Sequence, residues 1–322
     1  MPLTIQPLLG GFYLRSLAPS IVNGVATGAF YAFIAIPLVL SYRVSRSVAF
    51  VHGGIATITG VVYWWITSDF ARFGTRPGFG RFIVRWPPVP SLLVVVALGG
   101  LLGLGYGAIV MFRLKHWPRV AVTTFSLGAM IACYGVVESL FSPDFPIPSP
   151  FGKGKYELWG QKVTFHQTAT LVLVAVLAAA STLLLNRTRF GMYVRAIADD
   201  VGAAEMVGIP TERLGVAIWT VSGAIAGLAG VCIVVFFRVT DLVVLSVFLQ
   251  AIMVGILGGF NSLPLILLGA LVLGEVESIV GGGTFGTVSG ANRELILLVL
   301  LFSTVAVVNA FKHSLVDLLE HN

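Results

Sequence analysis

Five histidines, two cysteines and fourteen acidic residues give this 322-residue chain side chains for acid–base, thiol or metal chemistry. Their spacing does not let them cooperate. No HExxH, no paired-cysteine metal pattern and no Ser, His and Asp spacing typical of hydrolases occurs. Cys133 and Cys232 stand singly inside apolar runs, where they read as core filler rather than as a disulfide or a metal site. Glu275 and Glu277 are two apart and point different ways on a helix, and Glu138 is near the end of its apolar run, so no ladder of acids is laid out for a proton relay. His52 alone among the histidines falls within an apolar run, as a helix-break residue or as part of a pathway. No GxxxxGK[ST] loop is present, so the chain binds no ATP of that kind and any power must come from a partner.

What remains is recognition, and the segment to carry it is 186–213, NRTRFGMYVRAIADDVGAAEMVGIPTER, with eight charged residues between two long apolar runs. Arg187, Arg189 and Arg195 place it on the cytoplasmic side of a membrane, because short positive loops resist translocation. From Tyr193, apolar side chains recur at Ile197, Val201 and Ala204, a spacing that predicts one face of a short helix. Gly208 and Pro210 end it, Gly as a left-handed cap and Pro as a residue that cannot continue the ladder. The helix is a solvated connector or a docking surface for a partner protein. Asp200 inside the apolar stripe favours the second, since an acid there would meet anionic headgroups if the helix lay on lipid.

These residues need elements to hold them, and composition decides which. The chain is 57% hydrophobic and 11% charged, with 37 glycines, against about a quarter charged in soluble domains. Apolar runs of about 20 residues without alternation predict membrane helices rather than barrel strands. The expected fold is an all-α integral membrane protein, a polytopic bundle of eight or nine transmembrane helices forming one domain over 1–322. Spans are expected near 17–41, 48–66, 91–112, 119–141, 168–186, 214–236, 243–260, 262–280 and 291–311. Segments 67–90 and 142–167 are then outer loops, the N-terminus is outside and the C-terminus is cytoplasmic. The pair 243–260 and 262–280 is alternatively a re-entrant or broken element, which gives eight spans. No cleavable signal is visible, so the first span is expected to serve as the targeting signal. The net charge of +6 lacks the clustered basic face of a nucleic-acid binder.

Glycines recur four apart at Gly24 and Gly28, at Gly99, Gly103 and Gly107, at Gly223 and Gly227, and at Gly255 and Gly259. Such spacing lets helix backbones approach where lipid supplies no hydrophobic drive. His52-Gly53-Gly54, and Gly258-Gly259 with Pro264, are expected to interrupt helices at membrane depth, which is tolerated where protein or a watery cavity surrounds the break.

Four stretches carry a family resemblance: NGVATGAFYAFIAIPLVLSY with AFVHGG (23–54), VAVTTFSLGAMI (120–131), TRFGMYVRAIADDVGAAEMVGIPTERL with SGAIAGLAGV (188–231), and QAIMVGILGGFNSLPLILLGALVLGEVES (250–278). Together they resemble the LivH-like membrane permeases of branched-chain amino acid ABC importers over about residues 20–305. The resemblance implies a coupling loop that docks on an ATP-binding subunit through Ala203, Ala204, Gly208 and Ile209, alongside Tyr193, Ile197 and Asp200 of the predicted helix. It implies pathway contacts at Asn23, Tyr31, His52, Gln250 and Asn261, each also readable as an interhelical hydrogen bond. It implies a LivM-like second permease, two ATP-binding subunits that carry ATP and Mg, and an external solute-binding protein, with no cofactor and no enzymatic site in this chain, in a bacterial inner membrane. Gln250, where the family often has Lys, and the tail VVNAFKHSLVDLLEHN depart from the pattern. The alternative solutes that go with those departures are urea, short amides and other small polar molecules, and the competing class is a self-sufficient channel or secondary carrier.

Overall fold

The computed structural model describes residues 14–67, 86–140, 147–152, 154–158, 161–237, 243–260, 262–281 and 299. The chain runs through α1 (Leu14–Ser45), α2 (Val51–Thr67), α3 (Pro88–Ala108), α4 (Arg119–Leu140), α5 (Phe165–Arg187), α6 (Arg189–Asp199), α7 (Val201–Met206), α8 (Thr211–Phe237), α9 (Val243–Leu257) and α10 (Leu263–Gly281). Eight of the nine predicted spans appear as helices, and the ninth, 291–311, lies outside the described residues apart from a helical Val299. Five are long and apolar enough to cross a bilayer: Ser20–Ser45, Pro88–Arg113, Arg119–Ser139, Phe165–Arg187 and Thr211–Phe237. The fold is helical and of membrane type.

Element ends follow local chemistry. Pro88 and Pro90 occupy the first turn of α3, where a missing N–H costs nothing. A π turn at Ile109–Arg113 carries α3 further than the periodicity predicts. Thr164 and Gln167 form a reciprocal capping box that starts α5 three residues ahead of the predicted 168. Within the expected outer loop 142–167 the structure adds an antiparallel ribbon, β1 (Lys155–Leu158) paired with β2 (Gln161–Thr164), which the all-α reading did not contain. The loops 46–50, 114–118 and 188–210 gather at one end of the bundle, and the ribbon lies at the other.

Two glycine expectations need correction. His52, Gly53 and Gly54 do not interrupt a helix, because α2 begins at Val51 and they form its first turns. Gly54 instead admits Cys133 of α4, whose Cβ would stand 2.9 Å from an added methyl. Nor do Gly255 and Gly259 form a helix seam. Gly255 makes room for the Phe260 ring, and Gly259, at φ +60°, turns the chain from α9 into the antiparallel α10. The amides of Gly259 and Phe260 bond the carbonyls of Ile256 and Gly255, which closes the turn as a Schellman motif. That break is where Gly258-Gly259 was expected to produce one.

The other glycine rows are true seams. α3 and α8 run antiparallel with Gly99 and Gly103 against Gly223 and Gly227, so close that a methyl on Gly99 would stand 2.6 Å from the Gly223 carbonyl oxygen. α1 and α10 meet the same way, with a methyl on Gly28 reaching within 2.6 Å of the Ala270 oxygen. α1 is the central helix: 89% of its most apolar window is buried, against 22% for α4, whose flank is left to lipid or to a partner.

A methyl on Gly103 would lie 2.8 Å from Gly223 Cα and closer still to the Trp219 carbonyl, whereas one on Gly105 meets nothing within 4 Å. Gly103→Ala is therefore expected to cost about 1–3 kcal/mol by overpacking. Gly105→Ala should be neutral or stabilising by up to about 1 kcal/mol through helix propensity. Thermal unfolding of both variants in detergent checks this, and equal melting temperatures would show that the α3–α8 seam yields without cost.

Candidate functional site

The charged segment folds as two helices, not one. Asp200 adopts an extended conformation between them, and its carboxylate accepts the Ala203 amide at 3.0 Å, which caps α7. That cap stops α6 and resets the helical phase. The stripe expected at Tyr193, Ile197, Val201 and Ala204 is accordingly split. Ile197 and Ala204 are buried, while Tyr193 and Val201 are exposed. The buried face of α6 is Gly191, Val194 and Ile197. Asp200 therefore sits outside any stripe, as the hinge between two short helices. Ala203 is exposed beside buried Ala204.

Gly208 has φ +84° with open space where a Cβ would be, so the backbone conformation and not crowding demands glycine. Its amide bonds the Glu205 carbonyl, and the Ile209 amide bonds the Ala204 carbonyl, both at 3.0 Å, giving a second Schellman cap. This pairs Ala204 with Ile209 across the end of α7. Next to the cap, Met206 and Val207 are 84% and 76% exposed, the most open large apolar residues of the segment. Sequence reasoning did not select them. The signal was present as two apolar residues immediately ahead of a glycine cap, on the side opposite Ala204.

Three cations fasten the unit to the bundle. Arg195 donates to the Leu185 carbonyl at the end of α5. Arg46, just beyond α1 and itself at φ +50°, donates to the Ala198 carbonyl at the end of α6. Lys115, in the turn between α3 and α4, pairs with Glu205 and Glu212 at 2.6 Å each, and Thr211 donates to Glu205 at 2.7 Å. Glu205 and then Glu212 hold the Lys115 ammonium above the ordinary lysine range, and Lys115 holds the Glu205 carboxyl below the ordinary carboxylate range. The Arg46 and Lys115 ties join residues far apart in sequence, which periodicity cannot reveal, whereas Arg195 reaches back only to the end of the preceding helix.

The pathway candidates occupy separate surroundings. His52 is fully buried, stacked on Trp219 at 5.3 Å, with Nδ1 on the Ala49 carbonyl and Nε2 on the Ser222 hydroxyl, each at 3.0 Å. A carbonyl can only accept, so Nδ1 carries a proton, while the Ser222 hydroxyl, 3.0 Å from Nε2, also lies 3.0 Å from the Trp219 carbonyl, to which it donates. Tyr31, also buried, donates to the Glu277 carboxylate across the α1–α10 seam, a pairing hidden by a sequence separation of 246. Asn23 on α1 and Gln250 on α9 are half-buried. Asn261 lies outside the described residues. Tyr31 thus answers to α10 and His52 to α8. Among the described residues, no three His, Cys, Asp or Glu side chains are placed to hold a metal ion.

The profile of the family described as "Branched-chain amino acid transport system / permease component" matches residues 20–306. The high-affinity branched-chain amino acid transport system permease protein LivH of Escherichia coli K12 is 26% identical over 264 residues, covering 80% of this chain and 83% of that protein. The corresponding BraD permease of Pseudomonas aeruginosa is 24% identical over 300 residues, 90% of this chain and 94% of its own length. The guanosine ABC transporter permease protein NupQ of Bacillus subtilis is 29% identical over 210 residues, 61% of this chain and 66% of its own. No solved structure matches the chain. With that profile spanning nearly all of a bundle of apolar, membrane-length helices, the chain belongs to the permease-component family of branched-chain amino acid transport systems and is a multi-pass membrane protein.

Proposed function

We propose that the chain is one membrane-spanning half of an ATP-binding cassette importer, a single permease domain over 1–322. In this reading α6–α7 is the coupling unit, seated on an ATP-binding subunit through Tyr193, Ala203, Met206 and Val207, with Ile197, Asp200, Ala204, Gly208 and Ile209 shaping it. The observation that carries the proposal is an exposed apolar knob, Met206 and Val207, on a capped and tied helix at one end of a family bundle whose sequence has no nucleotide-binding loop. ATP and Mg belong to two such partner subunits. A LivM-like second permease completes the pathway, and an external binding protein delivers solute at the ribbon end. The 188–210 end and the C-terminus then face the cytoplasm, with 291–311 as the ninth crossing. The chain has no enzymatic step of its own.

Transport runs by alternating access. A push on the α6–α7 unit passes from α7 to the α3–α4 turn through Lys115, and from α6 to α1 through Arg46 and to α5 through Arg195, so the three contacts turn one docking event into movement of several helices. The glycine seams are the surfaces along which those helices shift. Pathway contacts are assigned to Asn23, Tyr31, His52, Gln250 and Asn261. The solute is a branched-chain or related amino acid, as in the names of the Escherichia and Pseudomonas relatives. NupQ, named for guanosine, supports the second reading of another small polar solute within the same mechanism.

Gly208→Val is expected to abolish uptake while leaving membrane insertion intact, because a β-branched residue resists the left-handed conformation by about 1–2 kcal/mol. Gly208→Asn, which tolerates that conformation, should retain part of the activity. Full uptake by the valine variant, or by this chain alone in liposomes without an ATPase, would defeat the proposal.

The hold on α7 should also depend on pH in a defined way. Glu205, with its value lowered, contributes fully above the ordinary carboxylate range and loses that contribution as pH falls through the lowered value. Lys115, with its value raised, contributes fully below about pH 10 and loses its contribution only above the raised value. A spin label at position 206 should therefore show steady mobility from about pH 5 to 9 and loosen at either extreme. It should be loose throughout in Lys115→Met. A wild-type transition near neutrality would assign the hold to another group.

Competition for uptake by cells carrying the whole complex tests the solute. Leucine or valine is expected to compete, against a panel of urea, a dicarboxylate and a polyamine, since neutral Asn23, His52 and Gln250 suit a solute without net charge. Competition by urea alone would overturn the amino-acid assignment, and competition by the dicarboxylate or polyamine alone would overturn the neutral pathway.

A further inference from the structure

A cleft of about 430 Å³ opens at the 188–210 end between the ends of α1, α3 and α4 and the face of α7. Its charged lining is Arg46, Lys115 and Arg119 with the single carboxylate of Glu205, and His116 stands beside them. Lys115 is already neutralised by Glu205 and Glu212. Arg46 spends one guanidinium nitrogen on a backbone carbonyl and Arg119 is exposed, so the cleft keeps a surplus of positive charge. Its depth is also defined. The membrane-length helices end at Ser45 and Arg113 and begin again at Arg119 and Thr211, and three of those four residues, Ser45, Arg119 and Thr211, line the cleft. A pocket at that level lies where headgroups lie.

Trp117 of the lining and, beside it, Phe112 and Val120 are 54%, 59% and 77% exposed, an aromatic and aliphatic rim continuous with the little-buried flank of α4. Trp at such a boundary suits an interface with one apolar and one wet side. A soluble anion would use the cations and leave the rim idle. A zwitterionic lipid would use the rim and bring a cation into a cleft that already has a surplus of them.

We propose that this cleft binds the phosphate of an anionic glycerophospholipid, with its acyl chains along α3 and α4. The lipid would join α1, the α3–α4 turn and α7, and so stiffen the segment that also carries Lys115. This does not depend on the solute or on the ATP-driven reading.

The test is native mass spectrometry of the full-length chain in a neutral detergent, titrated with dioleoyl phosphatidylglycerol, dioleoyl phosphatidylcholine or glycerol 3-phosphate. Phosphatidylglycerol is expected to bind preferentially, and Arg119→Gln should weaken it about fivefold, the worth of one basic residue beside an anionic headgroup. Arg113→Gln, on the same turn but outside the lining, should leave binding unchanged. Equal binding of phosphatidylcholine, an unaffected Arg119 variant, or an equal loss in both variants would overturn the proposal. Displacement of phosphatidylglycerol by glycerol 3-phosphate at matched concentration would assign the cleft to a soluble phosphate and overturn the lipid.

Discussion

Backbone-to-backbone approach through glycine is the constraint on which this bundle depends. Lipid tails are as apolar as leucine, so burying aliphatic surface does little to join helices in a bilayer, and close dispersion contact must do it. Gly99 and Gly103 against Gly223 and Gly227, and Gly24 and Gly28 against Gly274, bring the main chains of α3 and α8 and of α1 and α10 nearly into touch. Two buried polar pairings are placed by these seams. Trp219, pressed on α3 by them, offers the face on which His52 stacks, and the α1–α10 seam delivers Glu277 to Tyr31. A seam without side-chain interlocking holds helices close yet resists sliding less than large interdigitated side chains do, which suits the alternating access proposed above.

The same logic explains what the sequence made legible. Apolar runs of membrane length are a composition signal, so Ser20–Ser45 and Thr211–Phe237 could be anticipated to within a few residues. Three of the four glycine rows were true seams because spacing of four is itself the geometry of helix contact. The fourth failed because Gly255 and Gly259 straddle a helix end, and spacing alone cannot distinguish a seam from a Schellman turn. The two four-residue strands were missed because KYEL and QKVT are too short to establish alternation.

The segment after α5 was legible in composition and misread in phase. A stripe from Tyr193 to Ala204 presumes an unbroken helix, and one carboxylate at Asp200, bonding the amide three residues on, rotates everything after it. Gly208 was readable because a left-handed cap is a local requirement. Arg46, Lys115 and Arg195 were not, since each acts on a carbonyl or carboxylate that only the tertiary fold brings near.

Those three cations also show how a short surface unit can be both exposed and tied to the bundle. α7 has six residues, too few for a helix to persist alone in water. It is kept by its ends: Asp200 satisfies an amide at one, the Schellman cap satisfies carbonyls at the other, and Lys115 fixes its side through Glu205. None of these uses Met206 or Val207, which leaves the apolar tip free while the frame around it is fully committed. In the proposed coupling role that division matters, because a soft element would absorb a push that a capped and tied one would pass on to α1, α5 and the α3–α4 turn.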